Sequence, residues 1–178
     1  MKNNRFVACV LIPSGIFLLI FAVFPVAYGL GISFYDYNPT SSYNEFLGLE
    51  NYKRLLTDEV FWIAVKNTII FCVVAVTANI VITLFLAKII SVLPSKGMKT
   101  FFRTILFIPC IAPIVGTSMV WKYGMVGTDG GLLNRILGLM GMPPRNWFLT
   151  TWQLLAIIIV YTLWADIGYN VVLFTAGI

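Results

Sequence analysis

A chain of 178 residues could form one soluble domain, but 60% of its residues are hydrophobic and 11% are charged, against roughly a quarter charged in an ordinary soluble domain. The apolar residues stand in long uninterrupted blocks suited to lipid rather than to a small aqueous core, so the composition describes a membrane protein. The net charge of +5 comes with no basic run beyond Lys53-Arg54, which argues against nucleic acid, and the lack of any histidine removes the commonest general base and metal ligand.

The first block runs from Phe6 to Tyr35 without a charge and follows Lys2 and Arg5. A signal peptide's apolar region is about 7 to 15 residues long and ends at a small-residue cleavage site. This block is about twice that length and shows no A-x-A, so it reads as a retained span over 7–34. Pro13 and Pro25 predict kinks, or a helix that starts after Pro13.

A polar, acidic connection over 36–65 follows. In "GLENYKRLLTDEVFWIAVKNT" the apolar residues Tyr52, Leu55 and Leu56, then Val60, Phe61, Ala64 and Val65, recur at helical spacing. They predict short amphipathic helices lying at the membrane interface. Asp58 and Glu59, beside Lys53 and Arg54, read as a solvated loop face.

A second span is expected over 66–91 and a third over 101–122, joined by a short basic turn. The third carries Pro109 and Pro113 one turn apart in "FIPCIAPIVG" and should bend or locally unwind. The connection over 123–150 contains "GTDGG" at Gly127 to Gly131, which follows no strand and reads as turn chemistry rather than a phosphate loop. A fourth span over 151–175 is interrupted only by Asp166. Trp62, Trp121, Trp147 and Trp152 fall at predicted span ends, where aromatic rings anchor at the headgroups. Cys9, Cys72 and Cys110 lie inside apolar blocks without metal-ligand or redox spacing and read as small apolar fillers.

Asp166 is the conspicuous residue. A carboxylate at helix-centre depth costs several kcal/mol unless it faces protein, water or a partner, so it marks a pathway or a pairing site. Thr162, Asp166, Tyr169 and Asn170 stand at i−4, i, i+3 and i+4 and share one helix face, a polar stripe expected to look into the bundle. The competing readings are a lysine partner at the interface, or a helix that enters the membrane later.

Orientation follows from charge. The amino terminus and the short turn hold Lys2, Arg5, Lys88, Lys96, Lys99 and Arg103 without an acid. The two long connections, counted from Asp36 to Lys66 and from Lys122 to Thr151, hold as many basic residues diluted by six acids. Raw counts tie; density near the helix ends favours a cytoplasmic amino terminus and external loops over 36–65 and 123–150.

Together these segments resemble the permease subunit of binding-protein-dependent ABC importers of the sugar class, which includes maltose-type and glycerol-3-phosphate-type systems. The resemblance rests on "PVAYGLGISFYDY", "FLGLENYKRLLTDEVFWIAVKNTIIF", "FFRTILFIPCIAPIVGTSMVWK", "GGLLNRILGLMG", "RNWF" and "IIIVYTLWADIGYNVVLFTAGI", in family order across nearly the whole chain. It implies an all-α, polytopic transmembrane bundle of the type I importer (MetI-like) fold, with four of about six spans present, in a bacterial inner membrane. It implies a second permease subunit, two cytoplasmic ATPase subunits that bind the ATP, and an extracytoplasmic solute-binding protein. The chain itself would hold no cofactor or metal.

On the same resemblance, Asp129, Gly130, Gly131, Asn134 and Trp147 would face the binding protein, and Thr162, Asp166, Tyr169 and Asn170 would line the path of a carbohydrate or related polar solute. The family's Glu-Ala-Ala loop, which docks the ATPase, and two further spans are not in this sequence. The chain therefore reads as about the first two-thirds of such a subunit, without coupling of its own. The alternatives are a small membrane scaffold protein complete at this length, or a non-functional truncated permease. A membrane-embedded transferase would need clustered acids or histidines near one interface, and none are present.

Overall fold

The computed structural model describes residues 2–41, 43–128 and 130–177. The chain divides into two compact units, Met1–Ala64 and Val65–Ile178.

In the first unit, helix α1 (Lys2–Leu18) passes through Pro13 without a break and continues by a π-helical turn, Leu19–Val23, into α2 (Phe24–Ile32). The sequence allowed for kinks at Pro13 and Pro25 or a helix starting after Pro13; the irregularity shown is a wider turn just before Pro25. There the Phe24 amide bonds back to Leu19 O, and the extra residue per turn accommodates a proline that has no N–H to give and would crowd the preceding carbonyl. The stretch Val7–Ile32 is long and apolar enough to cross a membrane, and its Leu11, Phe17 and Phe21 side chains stand exposed.

A two-stranded antiparallel hairpin, β1 (Tyr35–Asp36) with β2 (Glu45–Phe46), follows. The all-α expectation missed it, because two residues per strand leave no readable alternation. The amphipathic helix expected over the "ENY" segment is α3 (Glu50–Thr57). The Asn51 amide donates to Ser33 O and Tyr35 O at 2.9 and 3.0 Å, and the Tyr52 hydroxyl meets Ser33 Oγ at 2.6 Å. This is the physical content of the "GLENY" motif: two side chains tie α3 to the end of α2 and to the hairpin. Gly48, at φ 56, supplies the left-handed turn before it.

The second amphipathic stretch is not a separate interfacial helix. Val60, Phe61, Ala64 and Val65 form the first turns of α4 (Glu59–Ser91), 33 residues long, so the expected boundary at residue 66 is too late. The cause is Asp58, whose carboxylate accepts from the Val60 amide at 2.8 Å and caps the helix. Glu50, rather than Asp58 or Glu59, takes Lys53 and Arg54, in exposed pairs at 3.8 and 3.7 Å that add little stability.

In the second unit, Ala75, Thr83, Ala87 and Ile90 of α4 are buried while Val73, Val81 and Phe85 are exposed. Small residues about four apart thus form the inward stripe, the arrangement by which membrane helices approach closely. Ser95 caps α5 (Lys96–Ile111) by accepting from the Met98 amide. Lys99 Nζ donates to Ser91 O at 2.7 Å, completing the end of α4.

The third block, expected over 101–122 and to bend or unwind at its two prolines, does bend. Lys96–Ile111 and Ile114–Met125 meet at 89°. Pro109 sits inside α5, and the break falls at Ala112–Pro113 because the residue before a proline is driven out of the helical region, here to φ −74, ψ 142. Beyond the elbow, α6 (Ile114–Met119) runs into a π-helical turn, Val120–Met125. Helix α7 (Leu132–Leu139) lies inside the 123–150 connection, and α8 (Thr151–Gly177) is the long closing helix.

Helices α5 and α8 are packed at Gly168, where a Cβ would overlap the Leu106 carbonyl. Among the described residues, α4, α8 and Val7–Ile32 meet the length and apolarity of a span, with a fourth if the bent pair counts as one.

Candidate functional site

The stripe expected on α8 forms the wall of two cavities. On one side, Asp166, Tyr169 and Asn170 face the elbow across a space of about 450 Å³ bordered by Cys110 and Thr117. On the other, Thr162, Asp166 and Asn170 face Phe71 and Asn79 of α4 across about 330 Å³. All four residues are therefore brought to the same region, and Asp166 and Asn170 border both spaces.

Each neighbour is held by a specific contact. The Asn170 amide donates to Asn79 Oδ1 at 2.8 Å, and Thr83 Oγ1 donates to the same oxygen at 3.3 Å. This uses one oxygen twice and leaves Asn79 Nδ2 and Asn170 Oδ1 with no further partner among the described residues. The Tyr161 hydroxyl meets Thr117 Oγ1 at 2.8 Å and reaches Ile114 O at 3.3 Å, so α8 grips the elbow just past Pro113. Cys110 does more than fill space, since its sulfur accepts from the Tyr169 amide at 3.2 Å.

Asp166 has no lysine partner among the described residues: the ion pairs there are those of Glu50, and no Lys or Arg lines either cavity. It is exposed to both openings. A carboxylate in this position is left to water, solute or protein outside the described residues to satisfy it.

The residues expected to face a binding protein behave differently. Asp129 lies outside the described residues. The Asn134 amide donates to Gly127 O, Thr128 O and Arg145 O, and its oxygen accepts from the Arg145 amide and from Trp147 Nε1. Asn134 is 7% exposed. Gly131 packs on Gly127 so tightly that a Cβ would overlap backbone, and Gly130, at φ 116, offers its carbonyl to Arg135 Nε at 2.8 Å. The polar atoms of Asn134 and Trp147 are turned on one another and hold the connection together.

Trp147 is bonded to Asn134, and Trp121 stacks in a cluster with Tyr161 and Trp164, each ring centroid 5.7 Å away. Trp152 stands exposed in the first turn of α8.

Sequence reasoning missed Asn79, Thr117 and Tyr161. Asn79 had a signal, being an amide inside an apolar block at i+4 from Ala75 and i−4 from Thr83. Tyr161 had none, because its meaning comes from an elbow 44 residues earlier.

Long apolar helices around polar openings, with a broken helix at their edge, define a polytopic membrane protein of transport-subunit architecture. No family model matches the chain. It is 32% identical over 168 residues to the lactose transport system permease protein of Rhizobium radiobacter, covering 93% of this chain and 55% of that protein. It is 28% identical over 162 residues to the trehalose/maltose transport system permease protein of Thermococcus litoralis, covering 90% of this chain and 54% of that protein. A chain in the crystal structure of a bacterial alginate ABC transporter, in complex with an alginate pentasaccharide-bound periplasmic protein, superimposes with a TM-score of 0.80 at 23% identity, over 98% of this chain and 57% of that one.

In sequence and fold the chain belongs with the permease subunits of sugar-class ABC importers. It spans about half the length of the curated relatives it matches.

Proposed function

We propose that the chain forms part of an ABC importer permease subunit and supplies one wall of the translocation path for a carbohydrate or related polar solute. ATP would be bound and hydrolysed by two cytoplasmic partner subunits. A second permease would supply the facing wall, and an extracytoplasmic binding protein would deliver solute to the 123–150 connection. The amino terminus is assigned to the cytoplasm, from the acid-free basic residues at that end and in the α4–α5 turn.

The observation that carries the reading is Asp166, an unpaired carboxylate bordering two cavities in a chain whose relatives are named as sugar permeases. Intramembrane ionisable groups are rare and mark solute or ion pathways.

The test is ATP-dependent uptake by the full-length subunit, assembled with its partners in proteoliposomes. Saccharide uptake should require this subunit, and Asp166→Ala should lower it by about tenfold or more, the size of one lost charge-assisted hydrogen bond of roughly 1.5 kcal/mol. Unchanged uptake in both Asp166→Ala and Asp166→Asn would remove the pathway role.

A further inference from the structure

We infer that Asp166 acts as a charge filter, admitting uncharged polyhydroxy solutes and excluding those that carry a carboxylate. The inference rests on the permease reading and adds a substrate class to it. Both cavities that Asp166 borders are lined by hydroxyl, amide, sulfur and apolar groups, with no Lys or Arg in either. The donors still free in these linings, Asn79 Nδ2 and the Thr162 and Tyr169 hydroxyls, are all uncharged, while Tyr161 is engaged with Thr117 and the Asn170 amide with Asn79.

A neutral sugar suits this inventory. Its hydroxyls would donate to the Asp166 carboxylate and to Asn170 Oδ1, and its ring carbons would lie against Ile114 in one cavity or Phe71 in the other. A uronate does not suit it. Its carboxylate would enter a confined space beside a like charge, with no described cation to offset the repulsion, and the low polarisability of the surroundings strengthens that repulsion.

The filter is tested by uptake into proteoliposomes holding the full-length subunit and its partners. The probes are a neutral disaccharide and the same disaccharide with one hexose oxidised to the uronate. Wild type should favour the neutral sugar by at least about tenfold, Asp166→Glu should keep that preference, and Asp166→Asn should reduce it about tenfold through faster uronate entry.

Equal uptake of the two sugars by wild type overturns the filter and leaves the permease reading standing. So does a preference that Asp166→Asn does not change. If Asp166→Asn fails to assemble while Asp166→Glu assembles and takes up both sugars alike, Asp166 is a structural partner of another subunit and the filter is wrong. ATP-dependent uptake of an unrelated solute with neither sugar transported overturns the saccharide reading itself.

Discussion

Asn134 and Asp166 are both polar side chains carried on helices of a strongly apolar chain, and they are treated in opposite ways. Asn134 spends both ends of its amide on five bonds to backbone and Trp147, and is buried. Asp166 makes no bond to any described residue and borders two cavities. The contrast separates two uses of polarity: a satisfied group specifies a shape, whereas an unsatisfied one held at an opening is available to something that comes and goes. The 123–150 connection is accordingly a built scaffold, and the α8 wall is an incomplete one.

The largest effect is expected at Asn134. Replacing it with Ala strips the Arg145 amide, Trp147 Nε1 and the Thr128 and Arg145 carbonyls of this partner at once, while the Gly127 carbonyl keeps the Gly131 amide. At about 1–3 kcal/mol for each buried group left unsatisfied, a total loss of roughly 3 kcal/mol or more should lower the thermal midpoint in detergent and open the connection to protease. A variant as stable and as protease-resistant as wild type would erase the distinction drawn here.

Gly168→Ala comes next, at roughly 2 kcal/mol, because even one methyl meets the Leu106 carbonyl and forces α5 from α8. It should also lower uptake, since the same helix pair carries the elbow and the wall. Normal stability with normal uptake would mean that the close approach is not needed.

Smaller again is the Asn79–Asn170 bond. Such links within membranes average about 0.6 kcal/mol in double-mutant cycles. Asn79→Ala, Asn170→Ala and the double variant should therefore show a coupling of that order, read from unfolding in detergent. Additive losses would place the two amides in separate roles.

The smallest effect sharpens the comparison most. Asp166→Asn removes a charge that nothing among the described residues compensates, so stability should stay within about 0.5 kcal/mol or rise. A loss comparable with that of Asn134→Ala would put Asp166 among the satisfied, structural groups.

What could be read in the sequence divides along the same line. The apolar blocks, the α8 stripe and the α3 helix follow from composition and from the 3.6-residue period, both local properties. The start of α4 was misplaced because the expectation cut the block at Lys66, whereas the helix begins where Asp58 can cap it. Pro109 and Pro113 looked alike; only packing decides that the first stays in a helix and the second ends it. The loop asparagine was noticed through family resemblance and expected to face a partner, yet its five bonds reach residues up to 13 positions away. No spacing in the sequence announces such a closed set.

The most direct measurement is the water accessibility of position 166 in the assembled transporter. Asp166→Cys would be introduced with Cys9, Cys72 and Cys110 replaced by Ala, and its reaction with a charged, membrane-impermeant thiol reagent followed with and without transported sugar. The account predicts reaction from the aqueous phase that slows when sugar is present. A cysteine that does not react, or one whose reaction sugar leaves unchanged, would contradict the claim that Asp166 stands on the solute path.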